Sequence, residues 1–183
     1  KWDIMATGSW NGNPLGSSPA HFTSWSKIKL GWINESAITT VSTKQVVNIT
    51  INPLEFSNAS IIKIPTGSTY YLVEARKRIL YDSSLPGYGI LILYCDDSIE
   101  SGKGPVKVMN AKSSDKTLDH APFNASENST FIDASRGITV TVLSASNSSF
   151  KVKVNYNAGN FRISTNPPSL MIQVDGVNYT APD

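Results

Sequence analysis

The chain has 183 residues, of which 16% are charged, and a net charge of +2. That balance offers no basic stripe for nucleic acid and no acidic tail, and no apolar run approaches the ~18 residues of a membrane-spanning helix. The single cysteine, Cys95, excludes an internal disulfide and a cysteine-based metal cluster, so the fold must rest on its core.

The opening Trp2-Asp3-Ile4-Met5 enters a run of small and turn-forming residues (6–16) with no helix or strand expected of its own. Ser18-Pro19 then reads as an N-cap followed by an N1 proline. Phe22, Trp25 and Ile28, with Trp32 beyond, fall on one stripe at helical spacing, and Gly31 suits a left-handed C′ position. One helix is predicted over about 19–30.

From Ala37 the apolar period changes from 3.6 to 2. Strands are predicted over 37–42, 45–51 and 60–64, the last stopped by Pro65, and a Thr66-Gly67-Ser68 turn leads into 69–76. In that strand Tyr70, Leu72, Glu74 and Arg76 share one face. Glu74 and Arg76 at i,i+2, with Asp82 as a third member, predict a partly buried ion pair; two unrelated charges on a solvated face are the alternative. A turn at 82–87 feeds a strand over 89–95, apolar on both faces and therefore central, with Cys95 as an inert core thiol at its end. Asp96, Asp97 and Glu100 make an oxygen-rich loop of the sort that binds calcium, although it lacks EF-hand spacing, and a solvated loop is the other reading.

A strand over 106–109 precedes an irregular stretch at 110–130 that holds His120, read as a surface residue, with Phe123 and Phe131 as the only large anchors. Segments 137–143 and 150–156 alternate cleanly and are joined by a Ser-rich connection. About eight short strands at turn spacing predict a mainly β fold, an antiparallel β-sandwich of jelly-roll kind. A composition break at 157–160 precedes predicted strands at 161–165, 169–174 and 177–180, a β extension or the start of a further β module. Three units are expected: 1–33, 34–156 and 157–183.

Seven N-x-S/T sequons, at Asn34, Asn48, Asn58, Asn124, Asn128, Asn147 and Asn178, point to a secreted or surface-exposed glycoprotein carrying N-glycans. Many sequons with almost no cysteine suit an archaeal cell exterior better than a eukaryotic secretory route. The first residue, Lys1, is most simply explained by processing or truncation.

Two ordered blocks carry a resemblance. W-D-I-M-A-T-G-S-W-N-G at 2–12, followed after a spacer by P-A-H-F-T-S-W-S-K-I-K-L-G-W at 19–32, resembles the segment just downstream of the zinc site in immune-inhibitor-A-type secreted metallopeptidases, metzincin-like zinc endopeptidases. Y-Y-L-V-E-A-R at 70–76 and Y-D-S-S-L-P-G-Y-G-I-L-I at 81–92 are similar to the same family's next block, so the likeness covers about residues 2–110. The resemblance implies that Met5 is the Met-turn methionine beneath the metal and that Ala6, Thr7 and Gly8 continue into a cleft wall. It implies too that Glu74, Arg76 and Asp82 clamp the sandwich to the peptidase body. His21 is the one candidate for an additional cleft contact, and packing at the helix start explains it equally.

The zinc ligands and general base of that family come from an H-E-x-x-H helix, which this chain lacks; its only histidines are His21 and His120. The resemblance therefore implies a part that is not catalytic alone, partnered by a segment carrying H-E-x-x-H and serving a protein or peptide substrate, with zinc bound outside this chain. The rival expectation is a structural or adhesive extracellular surface glycoprotein on a degenerate peptidase scaffold, assembling through strand edges.

Overall fold

A computed structural model describes residues 1–157, 171–174 and 177–180. The expected strand at 161–165 and the Asn166-Pro167-Pro168 turn lie outside the described residues. The protein is mainly β. One five-stranded sheet runs in the order β1 (Ile38–Thr40), β3 (Ile61–Thr66), β4 (Thr69–Arg76), β5 (Gly89–Asp96) and β6 (Val106–Met109). A four-stranded sheet runs β2 (Gln45–Ile51), β9 (Phe150–Tyr156), β8 (Ile138–Ala145) and β7 (Thr130–Asp133). β10 (Met171–Val174) and β11 (Val177–Thr180) form a separate antiparallel hairpin.

The two large sheets face each other across the first core. Alternation places Ile138, Val140 and Val142 of β8 and Phe150, Val152, Val154 and Tyr156 of β9 against Ile62, Ile64, Tyr71, Val73, Ile90 and Ile92. Among the described strands the pairings are antiparallel except that of β1 with β3, which is parallel. β3 continues through Pro65, which the sequence suggested would stop it, pairing Pro65 with Tyr70 and Thr66 with Thr69. β1 accompanies β3 only from Ile61 to Lys63, so the missing N–H of Pro65 faces an open edge and costs no ladder bond. β7, which holds Phe131, begins at the end of the stretch expected to be irregular, where no strand was expected, and the Ser-rich hairpin is tighter than expected because β8 runs on to Ala145 past a bulge at Val142/Ser144.

A second core lies on the outer face of the five-stranded sheet. Ile61, Tyr70, Leu72, Leu91, Leu93 and Cys95 pack there against Trp2, Ala20, Leu54 and Leu85, with Trp25 and Ile28 at its margin. Residues 1–32 therefore form a third layer, which is why β4 and β5 are buried on both faces. Cys95 is fully buried, and burial pushes its thiol up to about 12.

Among the described residues the one α-helix, α1, spans Ser24–Lys29 and is shorter than the 19–30 expected. Its N-terminal boundary is not Ser18-Pro19: Ser18 Oγ instead lies 2.9 Å from Ser83 Oγ, and Thr23, extended at ψ 165°, is the N-cap. The C-terminal end follows expectation. Gly31 has φ +70°, its N–H donates to Ile28 O (3.0 Å) and that of Trp32 to Lys27 O (2.9 Å), the paired bonds of a Schellman motif. Residues Thr7–Trp10, expected to lack regular structure, form one 3₁₀ turn.

Candidate functional site

Where the opening layer meets the five-stranded sheet, the contact is ionic. Arg76, at the end of β4, is fully buried, and its fork is saturated. Nη1 donates to Glu74 Oε1 (3.0 Å) and to the Trp2 carbonyl (2.8 Å); Nε and Nη2 reach Asp82 Oδ2 at 2.8 and 2.7 Å. Nη2 also donates to the His21 carbonyl (3.4 Å). The planar guanidinium thus holds a strand neighbour, the turn after β4 and two points of the opening segment in one plane.

The carboxylates complete the attachment. Glu74 Oε2 accepts from the N–H of Ser24 (2.7 Å), and Asp82 Oδ1 from that of His21 (2.6 Å). Asp3 serves the helix start as well: its Oδ2 accepts from Thr23 N (2.9 Å), Ser26 Oγ (2.9 Å) and Thr23 Oγ1. Two of the orphan N–H groups at the start of α1, those of Thr23 and Ser24, are therefore satisfied by carboxylates distant in sequence. Lys27 is buried and donates to the Leu54 carbonyl (2.6 Å).

The structure brings Glu74, Arg76 and Asp82 together, fully buried, and adds Glu55, 3.6 Å from Arg76 Nε. Burial is the largest influence on Glu74, pushing it above the ordinary carboxylate range against the pull of Arg76. Burial opposes ionisation of Asp82 too, but the hydrogen bond from Glu55 and the Arg76 charge outweigh it and hold Asp82 below its usual value. Glu55 is pushed up to about 8 by burial and by its hydrogen bond with Asp82.

Sequence reasoning missed Glu55, Asp3 and Lys27. Glu55 follows Pro53-Leu54 in a stretch without periodicity, and the only signal there was a charge in an otherwise apolar run.

Of the other candidates, only His21 reaches this cluster, and it does so through its backbone. Met5 is 75% exposed, Ala6 and Thr7 are exposed, and Gly8 is buried where a Cβ would stand 2.5 Å from Asp3 O. Met5 borders a hollow of about 600 Å³ lined by Phe22, Trp25, Leu30, Trp32 and Ile99. Trp32, 60% exposed, meets Phe22 edge-to-face at 5.0 Å on this side. The His21 ring accepts from the N–H of Phe22 and packs on Tyr81, and burial lowers its pKa.

The acidic loop is divided between different partners. Asp96 Oδ1 caps Ser98, whereas Asp97 accepts from Trp25 Nε1 (3.0 Å) and Tyr70 OH (3.1 Å) and pairs with Lys29 (3.0 Å), tying α1 to β5. His120 is exposed and bonded to Asp115. Among the described residues, no three His, Cys, Asp or Glu side chains are grouped to hold a metal ion, whether zinc or calcium; Arg76 fills the space between the buried carboxylates. Of the sequon residues Asn34, Asn48, Asn58, Asn128, Asn147 and Asn178 are exposed, while Asn124 is half-buried and donates its amide to the Tyr88 carbonyl (3.0 Å). Among the described residues no helix is long and apolar enough to cross a membrane. No family model matches the chain, and no curated protein or solved structure matches it either.

Proposed function

We propose that this chain is the part of a secreted, glycosylated zinc metalloendopeptidase that follows the catalytic helix, supporting the active-site cleft and the positioning of a peptide substrate without being catalytic alone. The observation that carries the reading is the way residues 1–32 are held. Their inner side is fixed to the sheet through Trp2, His21 and Ser24 by a buried ion cluster, and their outer side presents Met5 beside the Phe22, Trp25, Leu30 and Trp32 hollow. A rigidly backed, outward-facing apolar surface is what a neighbouring catalytic segment needs for seating. The two ordered blocks of resemblance supply the kind of segment, one carrying H-E-x-x-H, whose two histidines and glutamate would hold zinc and activate its bound water. The residues of this chain contribute packing and orientation there, not ligands.

The test is intact mass, peptide mapping and zinc analysis of the native material. The expected result is an H-E-x-x-H sequence, in the same precursor or on a copurifying polypeptide, with about one zinc per complex. A native chain that is alone and metal-free, with no such sequence in its precursor, overturns the reading and leaves a structural or adhesive surface glycoprotein in its place.

A further inference from the structure

Glu55 stands at the base of the ion cluster with its side chain fully buried. Its Oε1 accepts from the N–H of Lys77 (3.0 Å), but its Oε2 is buried and has no donor to accept from. An ionised carboxylate would strand that oxygen, an arrangement that folded proteins avoid. The protonated acid has no such difficulty, because Oε2 then carries the hydrogen and needs no donor, and Glu55 can share a proton with the neighbouring Asp82.

Charge balance requires the same protonation state. The groups facing Glu55 are Arg76 and Glu74 on β4, Asp82 on the turn after it, Lys77, and from the opening layer Lys27, with His21 and Asp3 beyond. Within the buried set, Arg76 and Lys27 balance Glu74 and Asp82, and a neutral Glu55 leaves it without net charge. An ionised Glu55 adds a third carboxylate under a guanidinium that already has two.

We propose that Glu55 is held protonated, sharing its proton with Asp82, and that the seat of residues 1–32 on the sheet is thereby a pH-controlled latch that loosens as the pH rises above neutral. The segment that leaves is the one covering the cluster, because lifting it admits water to the new charge. The value of Glu55 is raised on folding, so its contribution is complete below the ordinary 4.5 and is lost as pH rises through about 8. Lys27, lowered by burial, acts with the opposite sign, its penalty being relieved as pH rises toward the ordinary 10.5, so it offsets part of the effect in wild type and E55Q alike.

Glu55→Gln is the discriminating variant, since a glutamine amide reproduces the protonated acid: it accepts from Lys77 and donates to Asp82 at every pH. Hydrogen-exchange protection is read at the N–H groups of Ala20, Thr23, Ser24 and Lys27, and separately in β8 and β9. Between about pH 6 and about pH 9.5 the wild type is expected to lose up to about a hundred-fold protection in the opening segment with β8 and β9 unchanged, and E55Q to lose little. Flat wild-type protection, or an equal loss in E55Q, overturns the proposal. The carbon-13 shift of the Glu55 carboxyl in the wild type decides independently of any variant: titration near 8 supports the latch, and titration in the ordinary carboxylate range refutes it.

Discussion

Replacing Arg76 by methionine removes the guanidinium while keeping much of the side-chain volume. Glu74 and Asp82 then lie buried without their cation, and the carbonyls of Trp2 and His21 lose their donor. Breaking a buried pair in this way costs about 3–5 kcal/mol, because the stranded charge keeps its desolvation penalty. Part of that is recovered if a carboxylate takes up a proton, so the lower end is expected at acidic pH and the upper end at neutral pH. Against a total stability of about 5–15 kcal/mol, the loss is a large share of the whole. Urea denaturation followed by tryptophan fluorescence and by far-ultraviolet circular dichroism measures it, the first reporting the opening layer, which holds all four tryptophans, and the second the sheets. Arg76→Lys is expected to recover only part of the loss, since one ammonium does not span Glu74, Asp82 and the Trp2 carbonyl as the planar fork does. A methionine variant within about 1 kcal/mol of the wild type at neutral pH would refute the claim that this cluster fixes the opening layer.

Gly89→Ala is expected to destabilise by about 1–3 kcal/mol, because Gly89 has φ +137° and a Cβ there would stand 2.6 Å from Asn124 Oδ1 and 2.7 Å from the Phe123 carbonyl; a falling melting temperature with unchanged m-value is the sign to look for. Asp133 governs an acid limb. Burial would raise it, but hydrogen bonds from Ser135, Arg136 and Tyr71 prevail and hold it at about 2, so its contribution is present above the ordinary 3.8 and disappears as pH falls through about 2. Asp133→Asn should therefore lower stability at neutral pH and shrink the difference from wild type as the solution is acidified; a difference that stays constant with pH sinks this assignment.

The sandwich was legible where one face of a strand is buried and the other wet. β8 and β9 alternate for that reason, and their inward residues are the ones that meet the opposite sheet. β7 escaped notice because it is four residues long, buries only Phe131 and leaves Ile132 exposed, so it shows no period to detect. The start of α1 escaped for a different reason. Ser18-Pro19 carries the local signature of a helix start, but the acceptors that satisfy the first N–H groups are Asp3 and Glu74, separated from them in sequence and adjacent only after folding. The candidate cluster divides in the same way: Glu74 and Arg76 were visible as two charges on one strand face, whereas Glu55 joins them only through space.

Stability alone does not explain why charge was placed at this contact, since well-packed apolar residues of similar volume commonly replace a buried ion pair at no cost. What such residues lack is direction. An apolar patch lets the opening layer slide or rotate by a side chain's width, while Arg76 accepts one arrangement of Glu74, Asp82 and the Trp2 and His21 carbonyls in its plane. Asp3 and Glu74 in turn orient α1 by binding its first N–H groups, and Asp97 fixes its flank through Trp25 and Lys29. The outer surface bearing Met5, Phe22 and Trp32 is therefore held in a set orientation relative to the sheets. Covering the second core alone has no use for that constraint; under the proposed function, seating a catalytic segment on this surface is what would use it.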